Sequence, residues 1–214
     1  MTNAFTSSEA IARAFKAADA EDIDALRRFL IGGGDPNARN ADGLTLLQFA
    51  ASKSHYIAAT ILLDGGADPN ARGGEYQQTA LHYAAERDYA QLIELLAEYK
   101  ADPNLKDKHG QTPLHLAAHE GSPRAAVALT KAGADVFMKD RRGDTARDIA
   151  TWRQREVLDF AWQEYIDIER HLGKVMHDRR EQSAAWQRQQ DAKLQGDLGA
   201  LKKHNPGRFK LGPG

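Results

Sequence analysis

This sequence predicts an all-α repeat, a solenoid of stacked helix pairs with short β-hairpin loops between the pairs. Three sets of landmarks carry that expectation. Asp35-Pro36-Asn37, Asp68-Pro69-Asn70 and Asp102-Pro103-Asn104 recur at steps of 33 and 34, and a weakened copy, Asp135-Val136-Phe137, follows 33 residues later. Thr45, Thr79, Thr112 and Thr145 keep the same beat, at 34, 33 and 33. So do the pairs Ala17-Ala18, Ala50-Ala51, Ala84-Ala85 and Ala117-Ala118, with Ala150-Thr151 closing the series. Self-similarity of this kind marks units that bury their apolar sides against one another in single file.

Each part of the unit has a physical reason. The threonine caps a first helix, and in Thr112-Pro113-Leu114-His115 the proline takes the first helical position, where a missing N–H costs nothing. The alanine pair lets the neighbouring backbone approach closely. A second helix follows, with apolar residues at three- and four-residue spacing: Ile23, Leu26, Phe29 and Leu30; Ile57, Ile61 and Leu62; Leu92, Leu95 and Leu96; Val127 and Leu129. It is expected to stop in Gly-rich or polar chain such as Gly32-Gly33-Gly34 and Asp64-Gly65-Gly66, where glycine can take the left-handed cap. The Asp-Pro-Asn segment, each carboxylate capping its own turn, then leads into a hairpin through Asp42-Gly43 or His109-Gly110. The one extra residue falls between 70 and 79, so it is a loop insertion beside Tyr76.

At this point the sequence resembles the ankyrin repeat, whose unit of about 33 residues carries Thr-Pro-Leu-His-x-Ala. Gly110-Gln111-Thr112-Pro113-Leu114-His115-Leu116-Ala117-Ala118 matches fully. Thr79-Ala80-Leu81-His82 replaces the proline, Thr45-Leu46-Leu47-Gln48 also loses the histidine, and Thr145-Ala146-Arg147-Asp148 reads as a divergent end unit. The first unit, roughly 8–31, lacks the motif and presents Glu9, Arg13, Lys16, Asp19 and Glu21, as a cap facing water should. The resemblance implies an ankyrin-repeat domain of about five units over residues 1–161. It also implies binding of a protein partner by hairpin tips and inner helices, without naming that partner.

Beyond the repeats, Val157, Phe160, Ala161, Tyr165, Ile168 and Leu172 form an amphipathic stripe. A helical extension capping or flanking the stack is expected over 162–195, and a flexible basic tail over 196–214. That tail carries Lys202, Lys203, Arg208 and Lys210 with no acid from 199 onward. It reads as a mobile segment, a short docking element or a nucleic-acid contact.

Composition narrows the function. The 214 residues contain no cysteine, which excludes a disulfide scaffold, a thiolate zinc site and a cysteine nucleophile. The net charge is -1, with -4 over residues 1–150 and +3 over 151–214, so the molecule is no polycation built to coat nucleic acid. Neither a targeting signal nor an apolar run long enough to span a membrane is present, and a soluble cytoplasmic protein is expected. His82 and His115 follow the repeat, and their expected role is local hydrogen bonding at the hairpin-to-helix junction. No His-Glu-x-x-His motif, phosphate loop or activated serine is visible, and neither catalysis nor a cofactor is expected.

The expected function is therefore a non-enzymatic protein-binding adaptor or inhibitor. The alternative is an assembly subunit using the C-terminal helices. Tip candidates are Tyr76, Lys108, His109, Lys139, Arg141 and Arg142, with Arg39, Glu75, Gln78 and Lys106 beside them. Groove candidates are Tyr83, Glu86, Arg87, Tyr89, His119 and Glu120, with Phe49 and His55 nearby. Tyr76, on the insertion, reads either as an interface anchor or as a locally packed aromatic. The basic late tips would steer a partner with an acidic patch.

Overall fold

In a computed structural model, described over residues 7–152, the helices fall where the repeat dictates. α1 (Ser8–Asp19) pairs with α2 (Ile23–Ile31), α3 (Leu46–Ser52) with α4 (Tyr56–Asp64), α5 (Ala80–Glu86) with α6 (Ala90–Glu98), and α7 (Pro113–Glu120) with α8 (Pro123–Lys131); α9 (Ala146–Trp152) opens a fifth unit. Each inner helix (α1, α3, α5, α7, α9) contacts the next, and so does each outer helix (α2, α4, α6, α8). That order of contacts is a solenoid. The domain limit at residue 161, the stripe from Val157 to Leu172, the extension over 162–195 and the tail over 196–214 lie outside the described residues.

Side-chain size explains the stacking. Ala17-Ala18, Ala50-Ala51, Ala84-Ala85 and Ala117-Ala118 are all buried between successive inner helices, and Leu46, Leu81 and Leu114 fill the layer beside them. On the outer helices Leu26, Leu62, Leu92, Leu96 and Leu129 are fully buried. Ile57 departs from expectation and stands 57 % exposed. Leu62 lies at the middle of α4's buried face, and five residues at about 100° each put Ile57 about 140° away from it.

The backbone repeats its unusual conformations as well. Left-handed residues occur between inner and outer helix (Glu21, Ser54, Asp88, Gly121), after the outer helix (Gly33, Gly66, Lys100, Gly133) and at the hairpin tip (Gly43, Gln77, Gly110, Gly143). Glycine holds the place after α2, α4 and α8, and the polar Lys100 holds it after α6, at φ 64°.

Two polar ladders run along the stack. In the first, each Asp takes the backbone N–H two residues on: Asp35 from Asn37, Asp68 from Asn70 and Asp102 from Asn104, all at 2.8 Å. Each Asn then accepts the next unit's Asp N–H: Asn37 from Asp68 at 2.8 Å, Asn70 from Asp102 and Asn104 from Asp135 at 2.7 Å. Phe137 replaces the fourth Asn and has no side-chain amide oxygen for such a bond. The carboxylates thus serve the turns, as their spacing implied.

The second ladder passes through the third residue of α3, α5, α7 and α9. The Thr79 N–H donates to His82 Nδ1 at 3.1 Å, so Nε2 carries the proton and donates to the Gln111 carbonyl at 3.0 Å. His115 repeats this with the Thr112 N–H at 3.1 Å and the Asp144 carbonyl at 3.1 Å. Gln48 substitutes for histidine because a primary amide also accepts and donates: Oε1 takes the Thr45 N–H at 2.7 Å, and Nε2 donates to Ala71 and Gln78 carbonyls at 2.8 and 2.7 Å. In the fifth unit the Asp148 carboxylate accepts from Thr145 N–H and Oγ1, at 2.9 and 2.7 Å. As an ionised carboxylate it has no proton to pass on.

Among the described residues there is no strand. The hairpins close by single antiparallel bridges, Arg39 with Thr45, Gly73 with Gln78, and Lys139 with Thr145. The inserted residue sits at the second tip. The N–H of Asn40, Asp107 and Asp140 bonds the carbonyl of Leu44, Gln111 and Asp144, enclosing three residues, whereas Gly73 bonds Gln78 and encloses 74–77. Gly73 thus takes the place of Asn40 and Asp107. A Cβ there would meet Gln48 Oε1 at 2.4 Å, the Gly43 carbonyl at 2.5 Å and Arg39 Nη1 at 2.6 Å.

Candidate functional site

The hairpin tips are fastened to one another through the backbone. Gly74 N–H donates to the Gly43 carbonyl at 3.2 Å, Lys108 N–H to Tyr76 at 2.9 Å and Arg141 N–H to His109 at 3.1 Å. Side chains inside each hairpin hold its turn. Asp107 Oδ1 accepts the His109 and Gln111 N–H at 2.8 and 2.9 Å, and Asp140 Oδ1 accepts those of Arg142 and Asp144 at 2.8 and 3.0 Å. The tips therefore form a continuous rim whose side chains have fixed origins.

Against that rim and the inner helices lies a cleft of about 770 Å³. Tyr76, His109, Arg141 and Arg142 reach it from the tips, and Gln111, Asp140 and Asp144 from the hairpins. Leu116 and Ile149 come from the middle of α7 and α9, with Glu86, His119 and Glu120 from the helix ends. Such a mixture of polar and apolar lining suits a protein surface. Among the described residues no cluster could hold a metal ion, and no helix is long and apolar enough to cross a membrane.

Tyr76 is braced at the insertion. Its ring lies 5.6 Å from His109, Lys108 Nζ sits 4.3 Å above it, and the same ammonium pairs with Glu75 at 3.3 Å. Tyr76 as a residue remains 44 % exposed. An aromatic fixed this way loses little freedom on contact with a ligand.

Of the candidates named from the sequence, Tyr76, His109, Arg141 and Arg142 from the tips and Glu86, His119 and Glu120 from the groove share the cleft. Tyr83 is half-buried against the core, with its hydroxyl near Gly74; burial, with Glu86 nearby, raises its pKa. Tyr89 is half-buried at the start of α6. Arg87 is exposed at the end of α5, and Lys139 is exposed at the hairpin bridge, but neither lines the cleft. Lys108 braces Tyr76 from outside it. Of the other candidates, Gln78 is buried, Lys106 Nζ donates to the Lys139 carbonyl at 2.8 Å, and His55 Nδ1 contacts the Ala18 carbonyl at 2.9 Å, away from the groove. Phe49 packs edge-on against Phe15 at 5.5 Å.

Ile149 was missed. The signal was present, since Phe49, Tyr83, Leu116 and Ile149 follow the repeat at 34, 33 and 33. His82 and His115, by contrast, are structural: burial lowers the pKa of His82 to about 4 and shifts His115 in the same direction.

The comparisons agree with this geometry. Residues 14–107 match the family described as ankyrin repeats (3 copies), and residues 96–150 match ankyrin repeats (many copies). No curated protein matches the chain significantly. Ankyrin repeats generally mediate protein–protein interaction and are typically non-enzymatic binding modules. With its two ladders, its stacked alanine pairs and matches running from residue 14 to 150, the chain belongs to the ankyrin-repeat family.

Proposed function

We propose that this chain is a non-enzymatic adaptor or inhibitor that holds a protein partner in the cleft of its third to fifth units. The observation that carries the reading is the braced Tyr76, placed with Arg141 and Arg142 on one rim of a cleft whose floor is partly apolar. Aromatic and arginine side chains on a rigid mount are the commonest anchors of protein interfaces. Of the basic late tips, Lys106 and Lys108 are engaged within the protein, so an acidic patch on the partner would meet Arg141 and Arg142.

Affinity capture from the native cell lysate, with the full chain as bait, tests this. Tyr76→Ala and Arg142→Ala are each expected to weaken capture of a specific partner about fivefold or more. Ile57→Ala, on the outer face, should leave it unchanged. Undiminished capture by both cleft variants rules out this face as the binding site.

A further inference from the structure

The lining of the cleft is arranged in three bands. On the hairpin side stand the exposed guanidiniums of Arg141 and Arg142. Leu116 and Ile149, both half-buried, form an apolar floor. Beyond the floor, Glu86 is exposed at the last residue of α5, with Glu120, whose Oε1 meets His119 Nδ1 at 2.5 Å, at the last residue of α7. The hairpin carboxylates beside the first band are less exposed than its guanidiniums. Asp140 and Asp144 are half-buried, and Asp140 Oδ1 faces two backbone N–H groups of its own turn. A ligand at the rim therefore meets cations on one side and anions on the other.

Resting on the protein-binding reading above, we infer that the element seated here is an amphipathic α-helix of the partner, with an apolar stripe flanked by bases on one side and acids on the other. Three bands require side chains in three directions. A helix supplies them, because successive residues turn by about 100°. An extended segment supplies only two, because its side chains alternate by about 180° and would leave the apolar floor facing backbone. The dimensions agree. α7 has 8 residues and so runs about 12 Å from hairpin to far wall, which is close to the 10–12 Å diameter of a helix with its side chains. Charge then fixes direction: a helix laid the opposite way would bring its acids to Glu86 and its bases to Arg141 and Arg142.

The probe is a capped helical peptide of about 18 residues with an apolar stripe, lysines on one flank and glutamates on the other. A peptide of identical composition with both charges mixed on both flanks is the control. Titrated into the full-length chain and followed by fluorescence anisotropy, the segregated peptide is expected to bind at least about tenfold more tightly. The double substitution Arg141→Glu/Arg142→Glu should abolish that preference. Adding Glu86→Lys and Glu120→Lys should restore it, with the peptide reversed. Circular dichroism of these variants, which change mostly exposed residues, checks that the fold persists.

Equal binding of the two peptides overturns the proposal, as does a preference that survives the arginine substitutions. Tighter binding of a proline-interrupted extended peptide with alternating charges overturns it in favour of a strand-like ligand. Self-association of the full chain that the same variants abolish makes a second copy the occupant. If the peptides fail while Arg142→Ala still loses the captured partner, the helical ligand alone is wrong. If capture is retained as well, the cleft is not the binding face.

Discussion

His82 uses both ring nitrogens: Nδ1 accepts the Thr79 N–H, and Nε2–H crosses to the Gln111 carbonyl of the next unit. A proton added at Nδ1 removes the first bond and leaves a charge in a fully buried site, so burial holds the pKa near 4, below the ordinary 6.5. The unfolded chain takes up that proton between about pH 6.5 and 4 while the native protein does not. Stability from this group is therefore complete above about pH 6.5 and is lost as the pH falls toward 4, by an amount of roughly 3 kcal/mol. Burial shifts His115 the same way and adds to the slope. Gln48 shows that an amide can occupy the position. His82→Gln is thus expected to change stability at pH 7 by under about 1.5 kcal/mol and to flatten the loss between pH 6.5 and 4. Urea denaturation across that range measures both effects, and an unaltered slope would remove His82 as its source.

At the scale of the element, the second hairpin differs from the others by one residue, and the difference is built into its neighbours. Gly73 stands where other units place Asn or Asp, because Arg39 and Gln48 of the preceding unit fill the space. Gly73→Ala must displace the Gly43 backbone as well as two side chains, with an expected cost of about 1–3 kcal/mol. Because the braced Tyr76 sits on this turn, the same variant should also weaken partner capture while leaving helix content unchanged. Loss of stability by thermal melting without any effect on capture would separate the turn from the binding surface. Helix placement was legible in the chain because threonine caps, glycine stops and apolar spacing are local signals. The exposed Ile57 was not: its spacing fits the apolar series, but which side of α4 is covered depends on α2 and α6.

At the scale of the whole molecule, the principal helix–helix contacts among the described residues run between consecutive units, so protection should accumulate toward the middle of the described stack. Amide hydrogen exchange is expected to be slowest in α5 through α7, whose inner and outer helices are covered on both sides, and fastest in α1, whose Glu9, Arg13 and Lys16 are exposed. Uniform protection from α1 to α7 would mean that the units unfold together and not from the end. The candidate site shows the same division between local and global information. Tyr76, His109, His119, Arg141 and Arg142 could be named from the repeat register, because register places tips and groove positions.

The sequence alone determined the unit, its length, its caps and the order of stacking, since each rests on residues near one another in the chain or repeated at a fixed interval. Only the tertiary structure decided which of the tip and groove residues share one cleft and which charges are already engaged. Lys106, Lys108, Tyr83 and Tyr89 carry interface chemistry in the chain, but their surroundings come from other units. Those surroundings exist only once the repeats have stacked, because exposure and pairing depend on distances between residues some 30 positions apart.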